Sequence, residues 1–211
     1  PSRFSRRLTR IQDLLHLIFN QLGATLKGLN LESRYAIDSF PVSLCQNIRI
    51  GRNRLTKTVA DKESYRGFIS SKKVYFFGVR VQVITTIDHL PVEFSILPGD
   101  SSDLQGMAEL PLDFEEGSQI AADAAYTEYL WEDFAKENEG IKLLVMRKKN
   151  SYRGDDLPTQ YYKFWLRHRI ETTFGEIAKL FPKKIHATSL NGFIFKVFLF
   201  LLAFQIDKAF I

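Results

Sequence analysis

Ser33-Arg34-Tyr35-Ala36-Ile37-Asp38-Ser39-Phe40-Pro41 is the stretch on which the reading of the fold turns. Tyr35, Ala36 and Ile37 form a short apolar run of the kind found in an interior strand. The run ends in the carboxylate of Asp38, and Pro41, which has no N–H to donate, is expected to stop the ladder three residues later. An acid at the end of a buried strand is costly unless something pairs with it. Its partners are therefore sought downstream.

A second apolar run, Ile120-Ala121-Ala122, also terminates in an acid, Asp123. The text after it reads as a helix over about 125–138, with Tyr126, Leu130 and Phe134 as its apolar stripe. Ile141 to Met146 reads as another short buried strand. A long helical pattern then runs from about Thr159 to Phe181, with Ile170, Phe174, Ile177 and Phe181 as the stripe. Glu171 lies about 100° round from Ile170, and Arg167 shares a face with it four residues earlier.

Between the two strand-end aspartates, the stretch 73–97 carries the clearest β pattern. Tyr75, Phe77, Val79, Val81 and Val83 alternate with Gly78, Arg80 and Gln82, and Val92, Phe94 and Ile96 alternate with Glu93 and Ser95. This predicts an antiparallel hairpin with one buried face and His89 exposed in its turn. Ser102 and Gln105 have capping-box spacing, so Asp100 and Asp103 read as acids at a helix start. Strands followed by β-α-β alternation indicate an α/β sheet with helices packed on it.

Two basic stretches flank these elements. Residues 42–73 hold Arg49, Arg52, Arg54, Lys57, Lys62, Arg66, Lys72 and Lys73 against Asp61 and Glu63. Residues 147–158 hold Arg147, Lys148, Lys149 and Arg153. Basic loops beside carboxylates point to phosphate contacts, although a charge run is often only a solvated face. The net charge of +5 permits nucleic acid as a partner without requiring it. There is no His/Cys cluster of zinc spacing and no glycine-rich phosphate loop opening a helix. The one cysteine, Cys45, excludes an internal disulfide framework and suits a reducing compartment.

Residues 1–30 read as a basic amphipathic helical segment, with Ile11, Leu14, Leu15, Ile18 and Leu22 at helical spacing. Asp13, His16 and Asn20 interrupt it, which excludes a signal peptide. The opening on Pro1 instead of Met reads as a piece of a longer protein. The segment is accordingly expected to be the remnant of a longer N-terminal region, with one domain over 31–211. The apolar tail from Gly192 to Ile211 is interrupted by Lys196, Gln205, Asp207 and Lys208, so its run falls short of the ~20 residues of a membrane span and reads as a buried helix.

From about residue 33 to the end, the chain resembles the catalytic domain of bacterial insertion-sequence transposases of the DDE class, closest to the insertion sequence nine-eighty-two family. The resemblance rests on Tyr35-Ala36-Ile37-Asp38-Ser39-Phe40-Pro41, Cys45-Gln46-Asn47-Ile48-Arg49, Pro91-Val92-Glu93-Phe94 with Pro98-Gly99, Asp123-Ala124-Ala125-Tyr126, Arg147-Lys148-Lys149-Asn150-Ser151 and Arg169-Ile170-Glu171-Thr172-Thr173-Phe174. It implies an RNase H-like α/β fold, a mixed sheet with helices on both faces, and Asp38, Asp123 and Glu171 as the catalytic, metal-binding triad. It further implies two Mg²⁺ (or Mn²⁺) ions, double-stranded DNA as partner at element ends and target, and no membrane. Action in the bacterial cytoplasm at the nucleoid follows, and a homodimer on DNA stays open. Arg49, Arg52, Arg54, Lys57, Arg147, Lys148, Lys149, Arg153 and Arg167 are the DNA-contacting candidates. Arg167 stands where relatives carry an arginine, Phe164 where they carry a tyrosine, and Lys179 one residue beyond their lysine. A nuclease without strand transfer, and a non-catalytic DNA-binding protein, are the alternatives.

Overall fold

The computed structural model describes residues 3–182 and 184–210, leaving the expected helix end at Ile211 outside the described residues. In chain order the elements are α1 (Arg3–Arg10), α2 (Gln12–Leu29), β1 (Arg34–Gln46), α3 (Arg49–Arg52), β2 (Arg66–Ile69), β3 (Val74–Thr86), β4 (Pro91–Pro98), α4 (Asp103–Ala108), β5 (Gln119–Ala122), α5 (Tyr129–Asn138), β6 (Lys142–Val145), α6 (Leu157–Leu180) and α7 (Leu190–Phe210). The strands form one six-stranded sheet in the order β2-β3-β1-β5-β6, with β4 also paired to β3. β1 is antiparallel to β3 and parallel to β5, and β5 is parallel to β6. The sheet is therefore mixed, as expected.

Alternation along β1 sorts the core into two layers. Tyr35 and Ile37 point to the face that also holds Ile84, Ile120, Leu143, Met107 and Ala135, covered by α4 and α5. Ala36 points to the other face, where Ala121 and Leu144 pack under Leu166 and Ile170 of α6. Farther along that face Val79, Val81 and Val83 meet Ile177 of α6 and Phe193, Phe198 and Phe204 of α7. The hairpin is thus buried on both faces instead of one, since Gln82 is 1% exposed and Glu93 5%. The apolar tail is a buried helix, and among the described residues no helix is long and apolar enough to cross a membrane.

β1 does not stop after Asp38. It pairs with β3 as far as Gln46, with Pro41 opposite Arg80. The Gln119 N–H donates to Ser33 O, so odd-numbered residues of β1 turn their backbone groups toward β5. β5 pairs only through Ala36. Pro41 is odd-numbered, so its missing donor falls on an open edge and no ladder bond is lost. The basic stretch 42–73 likewise is no single loop: it comprises the end of β1, α3, a short 3₁₀ turn at Leu55–Lys57 and β2.

The stripe expected after Asp123 also differs. Leu130 and Phe134 are 79% and 53% exposed, while Glu132 and Ala135 face inward. Tyr126 is fully buried in a 3₁₀ turn (Ala124–Tyr126) that precedes α5, so the three residues never share one helix. α2 runs against β4 at the sheet's edge. Its Phe19 and Leu26 enter the two core layers separately, and the buried Gln205 amide of α7 donates to Phe19 O and Pro91 O.

The approach of α2 to β4 is so close at Gly23 that an added Cβ would lie 2.3 Å from Val92 O. Gly23→Ala is expected to lower unfolding stability by about 1–3 kcal/mol, as overpacking does. Gly28, in the same helix, has nothing within 4 Å of such a Cβ. Gly28→Ala is expected to leave stability unchanged or raise it by up to about 1 kcal/mol. Urea-unfolding midpoints of the two variants check the pair.

Candidate active site

β1 and β5 pair in parallel with Ala36 opposite Ala121. Two residues further, where the strands part, the same register sets Asp38 beside Asp123. Both share the parity of the alanines, so both carboxylates lie on the α6 face. The Asp38 carboxylate accepts the Ser39 N–H at 2.7 Å, the donor that would have gone to β5 had the pairing continued. Burial pushes the Asp38 carboxyl up to about 6; Ser39 and Arg167 oppose the shift, and Asp123 and Asp103 add to it. Asp123 caps the turn that follows β5 by accepting the Ala125 N–H.

α6 brings the third acid. Asp156 caps its start by accepting the Thr159 N–H, and Pro158 sits in its first turn. Ile170 and Leu166 bury one face, leaving Glu171 at the rim, half exposed. One Arg167 nitrogen stands 3.5 Å from an Asp123 oxygen and 3.5 Å from a Glu171 oxygen. His168 Nδ1 is 3.4 Å from the other Glu171 oxygen. The guanidinium is the cation between these acids, and among the described residues no three acidic, histidine or cysteine side chains stand close enough to hold a metal ion. The donor set nevertheless fits a hard dication. It consists of carboxylate oxygens, and the half-buried Asp38 has a raised pKa that a neighbouring cation would relieve.

Several neighbours escaped the sequence reading. On the opposite face, Ser39 donates to Asp103, Arg80 bonds Ser39 Oγ and pairs with Asp103 at 3.4 Å, and Gln82 Nε2 donates to the Asp103 carbonyl and to Tyr126 Oη. The signal was present as polar residues, Arg80 and Gln82, in a strand whose neighbours are all apolar. Ser102 does form the expected capping box with Gln105. His89 is not simply exposed: its Nδ1 is 2.7 Å from Thr173 Oγ1, which ties the β3–β4 turn to α6 two residues from Glu171.

The basic candidates divide. Arg147 is 9% exposed and clamps Glu132 of α5 with both terminal nitrogens, so it does not face solvent phosphates as expected. Arg153 is bidentate on Asp133 at 2.7 Å and lies over the Tyr129 ring, likewise engaged within the protein. Lys148, Lys149, Arg49, Arg52, Arg54 and Lys57 are exposed, and so is Lys179.

The raised Asp38 pKa has a signed consequence. Well below pH 4 the carboxyl is protonated in folded and unfolded chains alike. Between about pH 4 and 6 the unfolded chain ionises while the folded chain stays protonated, so the folded state loses stability across that window and the loss is complete above 6. Asp38→Asn is therefore expected to match the parent near pH 3 and exceed it at pH 8 by up to about 3 kcal/mol. Chemical denaturation in EDTA at both pH values measures this, and an Asn variant less stable at pH 8 would mark Asp38 as a structural acceptor.

A family model described as a transposase DDE domain matches residues 30–206. No curated protein and no solved structure matches the chain.

Proposed function

Because the chain belongs to the transposase DDE domain family, we propose that it cuts donor DNA at the ends of a mobile element and joins the freed ends to target DNA, with Asp38, Asp123 and Glu171 as its acidic triad. The observation that carries this reading is the shared register of Asp38 and Asp123 at the point where two parallel strands part, under the helix that bears Glu171. The RNase H-like sheet sets that register and the helix across it. The stretches Tyr35–Pro41, Asp123–Tyr126 and Arg169–Phe174 support placing the chain in the insertion sequence nine-eighty-two family.

Asp38, Asp123 and Glu171 would hold Mg²⁺ or Mn²⁺, two ions in this reading. When bound, such ions stabilise the attacking and leaving oxygens of an in-line phosphodiester displacement. The chain's own contribution is to hold the acids in place. Ser39 and Ala125 N–H groups orient Asp38 and Asp123, and Arg167 balances Asp123 and Glu171, a balance that a bound dication would supply instead. The Arg167 guanidinium would also suit a DNA phosphate, which it can grip with two parallel N–H bonds. Exposed Lys148 and Lys149 follow β6 at the same end of the sheet as Asp123 and would meet the duplex backbone. Double-stranded DNA is the partner at both steps, in the bacterial cytoplasm.

Glu171 and Arg167 separate this reading from a surface ion pair, which would contribute only a few tenths of a kcal/mol. Glu171→Gln is expected to abolish metal-dependent strand cleavage. Arg167→Ala is expected to reduce cleavage about ten- to a hundredfold while Mn²⁺ binding, read by electron paramagnetic resonance, is kept or tightened. Near-parental cleavage by Glu171→Gln would remove Glu171 from the site.

A further inference from the structure

Away from the strand-end acids, a groove of about 650 Å³ lies between the end of β1 with α3 and the segment that follows α6. Its charged walls are Arg49 and Arg52 on one side and Lys184 on the other, and Asn47, Asn53 and His186 add polar groups. Among the described residues no carboxylate lines it. None of Arg49, Arg52 and Lys184 enters an ion pair with a described residue.

Both walls are anchored. The Asn47 N–H donates to Tyr75 O, and Asn47 Oδ1 accepts the Tyr75 N–H at 3.2 Å. Opposite, Ile185 is buried in the α7 core and Lys196 donates to His186 O. The cations are therefore presented by fixed backbone on two sides of the cleft, an arrangement suited to a polyanion.

Two independent rulers place this cleft relative to the acids. From Asp38 to Ser43 along β1 is five residues, about 17 Å at the rise of a strand. From Glu171 to Leu180 along α6 is nine residues, about 14 Å at the rise of a helix. Both paths run from the acids toward the groove: Ser43 lines its near edge, and α6 ends at Leu180, four residues before Lys184. At about 3.4 Å per base pair the near side of the groove lies roughly four to five base pairs from the acids.

We propose that this groove binds the phosphate backbone of duplex DNA roughly four to five base pairs or more from the reacting phosphate, with Arg49, Arg52 and Lys184 as the phosphate-contacting residues. The proposal rests on the transposase reading and adds a second anchoring point to it. Such contacts position the duplex without reading its sequence, so any duplex long enough to span both sites should engage them.

Cys45, the chain's only cysteine, lines the same groove and serves as a reporter. The test measures iodoacetamide alkylation of Cys45 in the full chain, with and without a saturating 20-base-pair duplex of arbitrary sequence (about four times the proposed separation). Bound duplex is expected to slow alkylation tenfold or more. Arg52→Gln combined with Lys184→Gln, both exposed positions, is expected to weaken duplex binding and reduce the slope of log K against log salt by about 1.8. An unchanged slope together with an unprotected Cys45, in a parent that binds duplex, overturns the groove and leaves the transposase reading standing. Equal protection by inorganic phosphate alone marks a small-anion site and also overturns the duplex assignment. A parent with no affinity for duplex at low salt, with Mg²⁺ present, overturns both.

Discussion

Two carboxylates held side by side by three residues of parallel pairing are the constraint to which the surrounding structure answers. β1 and β5 pair at three positions, the last of them Ala36 opposite Ala121. The aspartates stand just past that pairing, where neighbouring backbone is no longer committed to the ladder. Ser39 and Ala125 N–H groups are free there and bond the two acids. Burial disfavours the charge of a carboxylate and like-charged neighbours add to the cost; Asp38 is pushed up to about 6 mainly by its burial, with Asp123 and Asp103 adding to the shift. The arrangement is tolerable because a cation is present. In this structure the cation is Arg167, on the helix that crosses the strands.

The position of α6 is accordingly the second requirement, and several polar contacts hold it. Lys163 is nearly buried and donates to both Asp155 oxygens at 2.7 Å and to Val145 O at 2.9 Å, joining the helix to β6 and to the loop before it. Arg147 and Glu132 join that loop to α5. The Tyr162 hydroxyl donates to Gln119 of β5, and Thr173 meets His89 at the far turn. Buried ion pairs contribute little net stability against an apolar replacement, yet removing one partner leaves an uncompensated charge. Their effect here is geometric: they set where Arg167 and Glu171 stand over the strand ends.

Arg147, Arg153 and Lys163 pair with acids within the protein, whereas Lys148 and Lys149 and the cations of α3, the 3₁₀ turn after it and the segment beyond α6 face solvent. A net charge of +5 therefore understates the local field at the groove and beside Lys148 and Lys149. The local sign of the field, more than the total, steers a polyanion.

The sequence by itself determined the element types wherever burial imposes a regular period. The alternation over 75–83, the long helical stripe through Ile170 and Ile177, and the apolar tail of α7 all formed close to where periodicity places them, because a buried face must repeat every 2 or 3.6 residues. The motif texts around Asp38, Asp123 and Glu171 were likewise legible as a family signature. What tertiary structure alone decided is which edge and which partner each residue meets. Pro41 breaks nothing because its side of β1 has no neighbouring strand, a fact about β5 and not about proline. Leu130 and Phe134 look like a buried stripe yet face outward, because the turn that buries Tyr126 resets the helix phase before α5 begins. Arg147 and Lys148 are adjacent and chemically alike, but only one has a glutamate across from it. The groove depends most on the fold, since its two cationic walls lie more than a hundred residues apart in the chain. Local sequence sets periodicity through the geometry of one element, whereas pairing of charges depends on distances between elements, which exist only once the sheet has closed.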